Sequence, residues 1–274
     1  MKGKDRENHF ALFGNPVGHS LSPWMHRTAY GEMGIAARYK AYRVESAGEI
    51  VPMMKALGID GASVTLPFKE TIIGTLDEIT ASARTIGAVN TVLRRDDRFI
   101  GDNTDWIGLV RDLKGHLEIK GKTFAVLGAG GMARAAVFGL LRAGGIPVIF
   151  NRTPERGAAL ARAFNSQFLP LDALDGFRAE ALIQTTPVGM APHTDISPLK
   201  REILTNFRYV LDAIYNPLAT KLLRDAREMG CLTINGVGLF IHQGAEQIRI
   251  WVGREPPLAT MRKTVLAALQ ERTN

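Results

Sequence analysis

Thr123-Phe124-Ala125-Val126-Leu127-Gly128-Ala129-Gly130-Gly131-Met132-Ala133 is the stretch on which the fold turns: an apolar strand that ends in G-x-G-x-x-A and runs into a helix. Gly128 permits a tight turn, Gly130 removes a Cβ from the path of a phosphate, and Ala133 lets helix and strand approach closely. Gly131 opens the helix, whose unpaired N–H groups favour an anion at that point. This grammar predicts a dinucleotide pyrophosphate as ligand.

Working downstream, apolar runs and helical patterns alternate. Strand 123–127 leads to helix 131–143, strand 147–150, helix 154–164, and strands 181–184 and 209–213, as in a doubly wound parallel sheet. Pro217 is predicted to open a helix over 218–229, with Gly230 at C′. Upstream lies a separate α/β unit, with strands over 10–13, 38–44 and 62–66 and a hairpin of 88–94 with 98–100. Ser22 before Pro23 reads as N-cap then N1 of a helix to about Met33, and Ser46-Ala47-Gly48-Glu49 reads as a capping box for a helix to Leu57. A helix from Asp105 to about Lys114 crosses between the units. Helices over 239–252 and 258–269 follow the last strand of the dinucleotide unit, so they are expected to return to the first. The fold expected is α/β in two domains: residues 1–105 with 237–274, and a Rossmann-like dinucleotide-binding domain over 106–236.

Composition narrows the functions. At 274 residues, 46% hydrophobic and 22% charged, the chain has room for two ordinary globular domains. Its net charge of +7 comes from lysines and arginines scattered singly, which suits small anions and excludes the clustered patterns of nucleic-acid binders. Cys231 is the only cysteine, which rules out an internal disulfide or thiolate metal cluster and suits a reducing, cytoplasmic setting; at the start of a buried strand it reads as an inert thiol. Met1 to His9 is polar and so not a signal peptide, and no apolar window is long enough for a membrane helix. His19 and His26 match no ligand spacing, and His193 and His242 stand alone, so no metal is expected.

Roughly twenty residues beyond the first glycine, where an NAD site places an acid, the second strand ends in Asn151-Arg152-Thr153. Arg152, with Arg156 one turn on, offers donors matched to a 2′-phosphate, and so NADP is the expected cofactor. Thr153 also reads as a cap for the helix opened by Pro154. Lys69 leaves a strand end through Pro67, and Asp105 starts a helix; a paired ammonium and carboxylate would control each other's protonation, as general acid catalysis requires. Thr65, Asn90, Asn103 and Thr104 add neutral hydrogen-bonding groups suited to a polyol. Ser20 and Ser22, in a turn before a helix, read either as a carboxylate cradle or as ordinary turn serines. Tyr215 is read as reaching a cleft or simply packing, and Gln243 as a polar intruder on an apolar helix start.

Together these segments resemble the shikimate dehydrogenase family, which includes quinate/shikimate relatives. The resemblance rests on Gly14-Asn15-Pro16-Val17-Gly18-His19-Ser20-Leu21-Ser22-Pro23, Val64-Thr65-Leu66-Pro67-Phe68-Lys69, Gly87-Ala88-Val89-Asn90-Thr91 and Asn103-Thr104-Asp105. It continues through Gly128 to Ala133, Asn151-Arg152-Thr153, Thr185-Thr186-Pro187-Val188-Gly189-Met190, Asp212 to Pro217 with Thr220, and Gly236 to Gln243. It implies NADPH-dependent reduction of 3-dehydroshikimate in the chorismate route to aromatic amino acids, with Lys69 and Asp105 as the catalytic pair. It further implies that Ser20, Ser22 and Tyr215 bind the substrate carboxylate, that Thr65, Asn90 and Gln243 surround the ring hydroxyls, and that Thr186, Met190 and Gly238 lie along the cofactor. The partners expected are the small-molecule substrate and a second copy of the chain in a homodimer. Ser63, where bacterial members often carry Asn, and Leu239-Phe240, where Met-Leu is commoner, depart from the pattern and bear on substrate breadth. A quinate-accepting enzyme, a methylene-tetrahydrofolate dehydrogenase type and a noncatalytic NADP sensor are the rival readings; the doubled-serine turn and the retained Lys69 and Asp105 speak against the last two.

Overall fold

The computed structural model describes residues 7–272; the amino-terminal reading from Met1 to Arg6 and the last two residues lie outside the described residues. The chain divides into two compact units, one running up to Thr104 and resuming at Ile241, the other spanning Asp105–Phe240. Asp105, expected at the end of the first domain, opens the first helix of the second unit, and the return to the first unit falls inside a helix rather than before it.

The first unit contains β1 (Asn8–Gly14), α1 (Ser22–Glu32), β2 (Ala37–Arg43), α2 (Ile50–Ala56), β3 (Gly61–Val64), β4 (Glu78–Ile79), α3 (Ala81–Ile86), β5 (Thr91–Arg95) and β6 (Arg98–Asp102). Its 6-stranded sheet has the order β2-β1-β3-β5-β6-β4, in which β5 runs against both neighbours and the other pairs are parallel. β1 is buried along almost its whole length, as expected of a strand covered on both faces. Short β4 and α3 escape sequence patterning. They are defined instead by their ends, with the Thr80 hydroxyl accepting from Ala83 N–H and Gly87 in the left-handed C-cap conformation.

Two expected caps take another form. Leu21 already has helical dihedrals and its carbonyl accepts from Met25 N–H, so Ser22 lies inside α1 and the hydroxyl that takes its N–H is that of Ser20, at 3.2 Å. At 46–49 the first turn is 3₁₀ rather than α, and the Ser46 hydroxyl donates to the Glu49 carboxylate at 3.1 Å instead of accepting from a helix N–H.

The second unit contains α4 (Asp105–Lys114), β7 (Thr123–Leu127), α5 (Gly131–Arg142), β8 (Ile146–Asn151), α6 (Pro154–Ala163), β9 (Gln167–Pro170), β10 (Ala179–Gln184), β11 (Phe207–Asp212), α7 (Lys221–Glu228), β12 (Leu232–Ile234) and the start of α8 (Val237–Val252). All five pairings of its sheet, ordered β12-β11-β10-β7-β8-β9, are parallel. This is the doubly wound Rossmann order, with the switch point between β7 and β10. Pro217 does not start α7. The helix begins after Thr220, which has extended dihedrals and accepts from Leu223 N–H, and Gly230 follows its end at positive φ.

The rest of α8 and α9 (Leu258–Glu271) belong to the first unit. There Trp251 stacks on Phe10 at 4.9 Å, donates its indole N–H to the Val92 carbonyl at 3.0 Å, and lies so close to β3 that a Cβ at Gly61 would come within 2.5 Å of it. His26, fully buried in the same aromatic layer, stacks on Tyr39 at 4.2 Å and donates from Nδ1 to the Ser22 carbonyl at 2.9 Å. Burial lowers its pKa from 6.5 to about 4, against the smaller opposing effect of that hydrogen bond.

The folded protein therefore refuses a proton that the unfolded chain accepts as pH falls from 6.5 to about 4, and stability is lost over that window. By about pH 5 the loss from this one residue is about 2 kcal/mol. Urea unfolding near pH 7 and near pH 5 checks this, because His26→Gln should lose less stability than the parent between the two; an equal loss would remove His26 as the cause.

Candidate functional site

In the first sheet the carboxyl ends of β1, β3 and β6 and the start of β5 share one edge. The segment after β1 lies against the segment after β3: Asn15 N–H donates to the Leu66 carbonyl at 2.9 Å, and a Cβ on Gly14 would overlap the Thr65 methyl. Ser20 and Ser22 follow in that first segment. Ser20 donates to the Ser22 hydroxyl at 3.2 Å, and Ser22 is buried. Thr65, half-buried, receives Phe68 N–H on its carbonyl, and the Lys69 carbonyl accepts from Val89 N–H at 2.7 Å, which ties the exit of β3 to the entry of β5.

Asn90 is the centre of this edge, almost fully buried. Its Oδ1 accepts from Thr104 N–H and from the Thr91 hydroxyl, both at 2.7 Å, while its Nδ2 donates to the Thr104 hydroxyl at 2.9 Å and toward Gln243 Oε1 at 3.4 Å. A backbone N–H can only donate, so the amide has one orientation, with the nitrogen on the Gln243 side. Asn103, also buried, donates to the Ala88 carbonyl. Lys69, Thr65, Asn90, Ser20, Ser22 and Gln243 thus all belong to the first unit, whereas Asp105 is the buried first residue of α4.

Gln247, one helical turn beyond Gln243, was not singled out by the sequence. It accepts from Ser63 at 2.8 Å and donates to the Asn90 carbonyl and the Thr91 hydroxyl at 3.2 and 3.1 Å. Ser63 in turn bonds the Tyr39 hydroxyl at 2.6 Å, so the residue that departs from the family pattern is held in a buried chain of hydrogen bonds. The legible signal was the i, i+4 spacing of the two glutamines on one helix face.

In the second unit Gly128 has φ +123, and a Cβ there would stand 2.5 Å from the Thr185 hydroxyl oxygen. A Cβ on Gly130 would meet nothing within 4 Å, so open space faces the amino end of α5, which Gly131 begins. Ala133 is fully buried beneath. No acid ends β8; Asn151 donates to the Thr153 carbonyl at 2.8 Å, and Arg152 and Arg156 are exposed. Thr153 stands at the N-cap of α6 without making a side-chain cap bond. These residues fit a dinucleotide that carries an extra phosphate.

Two strand ends tie the loops beyond them. Gln184 Oε1 accepts from Thr186 N–H at 2.9 Å and its Nε2 donates to the Val188 carbonyl at 3.2 Å, shaping the segment that carries Thr186 and Met190. Asp212, its register partner on β11, is fully buried, and burial pushes its carboxyl from 3.8 up to about 7 despite hydrogen bonds from Thr220 and Ile214. Tyr215, half-buried, lays its ring on Phe240 at 4.2 Å. Gly238 has a local reason to be glycine: a Cβ would collide with the buried Asp112 carboxylate, which accepts Leu239 N–H at 3.1 Å and so caps α8. Among the described residues no helix is long and apolar enough to cross a membrane, and no group of three or more potential metal ligands occurs.

Three family models match the chain. They are the shikimate dehydrogenase substrate binding domain over residues 12–92, shikimate / quinate 5-dehydrogenase over 110–188, and the shikimate 5'-dehydrogenase C-terminal domain over 236–266. Shikimate dehydrogenase (NADP(+)) of Bacillus mycoides is 42% identical over 271 residues, covering 95% of this chain and 98% of its own. Among solved structures, shikimate 5-dehydrogenase from Thermus thermophilus in complex with NADP(H) and shikimate superposes with a TM-score of 0.88 at 36% identity, covering 96% of this chain and all of the other. A 5-ketofructose reductase of Gluconobacter is also similar, with a TM-score of 0.82 at 31% identity over 96% of this chain and 99% of its own. With identity of this level over nearly its whole length, the chain belongs to the shikimate dehydrogenase family.

Proposed function

We propose that the chain catalyses the reversible, NADP-dependent reduction of 3-dehydroshikimate to shikimate, with Lys69 and Asp105 as the catalytic pair. The observation that carries this reading is the polar edge of the first sheet, where Lys69 and Thr65 leave β3 beside the buried Asn90, Thr104 and Gln243 group. Such a concentration of neutral donors and acceptors next to an ammonium suits a ring bearing several hydroxyls and a ketone. The turn from Gly128 to Ala133 fits the dinucleotide, and Asn151, Arg152, Thr153 and Arg156 would hold its 2′-phosphate without an acid to repel it.

NADPH held there supplies a hydride to the C3 carbonyl carbon. As the carbonyl oxygen takes on charge, the Lys69 ammonium stabilises it and Nζ gives up the proton that completes the hydroxyl. Asp105 holds that ammonium in place and accepts a hydrogen bond from the neighbouring ring hydroxyl. In the oxidative direction the hydroxyl proton returns to Nζ. The Ser20 hydroxyl donates to Ser22, which leaves the Ser22 proton for the substrate carboxylate, with Tyr215 assisting. Thr65, Asn90 and Gln243 take the ring hydroxyls, and Thr186, Met190 and Gly238 line the nicotinamide end. A cytoplasmic location, supported by the single buried cysteine, and a homodimer complete the proposal.

Initial rates with shikimate and with quinate, each against NADP and NAD, test it: shikimate with NADP should be the best pair, and no activity with any pair would refute it. Lys69→Ala or Asp105→Ala should lower turnover by ~10²–10⁴-fold while NADPH binding, followed by its fluorescence, changes little; near-normal turnover in either would sink the assignment. Arg152→Ala should raise the KM for NADPH and leave that for NADH almost unchanged, whereas equal effects on both would refute a 2′-phosphate contact.

A further inference from the structure

We infer that Asp212 is a positioning residue, which sets the place of Tyr215 by clamping both ends of the segment that carries it. The inference rests on the reading of Tyr215 as a substrate contact and goes beyond it. At the carboxyl end of β11, Asp212 Oδ1 accepts from Ile214 N–H at 3.1 Å and Oδ2 accepts from the Thr220 hydroxyl at 2.7 Å. Thr220 also accepts Leu223 N–H at 3.3 Å, so the far end of the segment is locked to the first turn of α7. Between these anchors the backbone is held on every side. Ala213 N–H donates to the Gln184 carbonyl, Gly236 N–H to the Ile214 carbonyl and Ala191 N–H to the Asn216 carbonyl. The Ala213 carbonyl occupies the place a Cβ on Gly236 would need, which leaves the segment little room to shift. Tyr215 is the residue this arrangement presents, with its ring face on Phe240.

A carboxylate is a costly choice for a fully buried clamp, as its raised pKa records. Its advantage is geometric, since two acceptors on one rigid group reach two donors that lie at opposite ends of the segment. A side chain that merely filled the same volume would leave Ile214 N–H and the Thr220 hydroxyl to find other partners, and Tyr215 would sample several positions. Misplacement of a binding group by about 1 Å costs on the order of a hundredfold in rate.

Steady-state kinetics on the protein test this with Asp212→Ala, which removes both acceptors, with Tyr215→Ala and with the double variant. Asp212→Ala should raise the KM for shikimate by on the order of tenfold or more, leave the KM for NADP within about twofold, and add nothing in the Tyr215→Ala background. An unchanged shikimate KM, or an effect that persists in full without Tyr215, would overturn the inference. If Asp212→Ala does not fold, Thr220→Val takes its place, and Thr220→Ser, which keeps the hydroxyl, should restore the parent KM; failure to restore it would also overturn the inference. A Tyr215→Ala enzyme with the parent KM removes Tyr215 from the substrate site and the inference with it, while the outcome for Lys69→Ala reports separately on the overall reading.

Discussion

In each unit one strand lies between the strand that follows it and a later one: β1 between β2 and β3, and β7 between β8 and β10. Chain crossovers leave such a strand in opposite directions, so the carboxyl ends at that point are not covered by a connecting helix, and ligands settle there. Both switch points are built the same way. A glycine stands at or just past the end of the first strand and a threonine follows the strand beside it, Gly14 against Thr65 and Gly128 against Thr185, packed so closely that no Cβ fits between. The two close approaches shape the segment between β1 and α1, with Ser20, the exit of β3, with Thr65 and Lys69, the turn from Gly128 into α5, and the segment after β10, with Thr186 and Met190.

Around the first of these points buried polar groups are hydrogen-bonded to one another. Asn90 bonds Thr104 through both backbone and hydroxyl, and Thr91 and Gln243 bond it as well. Removing one partner of such a group would cost more than the bond itself contributes, because the other would be left unsatisfied out of water. Gln247 extends the network to Ser63 and Tyr39, so a chain of hydrogen bonds runs from β2 through β3 to α8 and back to β5. Rigid amides of this kind suit a site that must distinguish one hydroxyl pattern from another.

The same device recurs around the second switch point with different residues. Gln184 and Asp212 stand opposite each other in register, each at a strand end and each bonded to the backbone of the loop it precedes. Asp112 does the equivalent for α8, where a carboxylate from α4 meets the unpaired N–H groups of the helix start and Gly238 gives it room. Loops and a helix start in this unit are thus pinned by buried side chains.

Much of this was legible locally. The run from Thr123 to Ala133, the helix from Asp105 to Lys114 and the missing acid after β8 depend on near neighbours and on period, and these the amino-acid sequence determined unaided. Local rules failed where another partner competed. Pro217 looked like a helix start, yet α7 waits for Thr220, whose hydroxyl is drawn to Asp212 across the loop. Ser22 looked like a cap, but Ser20 took its N–H. Short β4 and β9 have too few residues to show a period and exist because a neighbouring strand offers hydrogen bonds. Only the tertiary structure decided which polar residues meet, since Asn90 with Gln243, Ser63 with Gln247 and Asp112 with Leu239 are far apart along the chain. Such pairs follow from strand order and helix packing, which bring together backbone and side-chain groups that no local pattern relates.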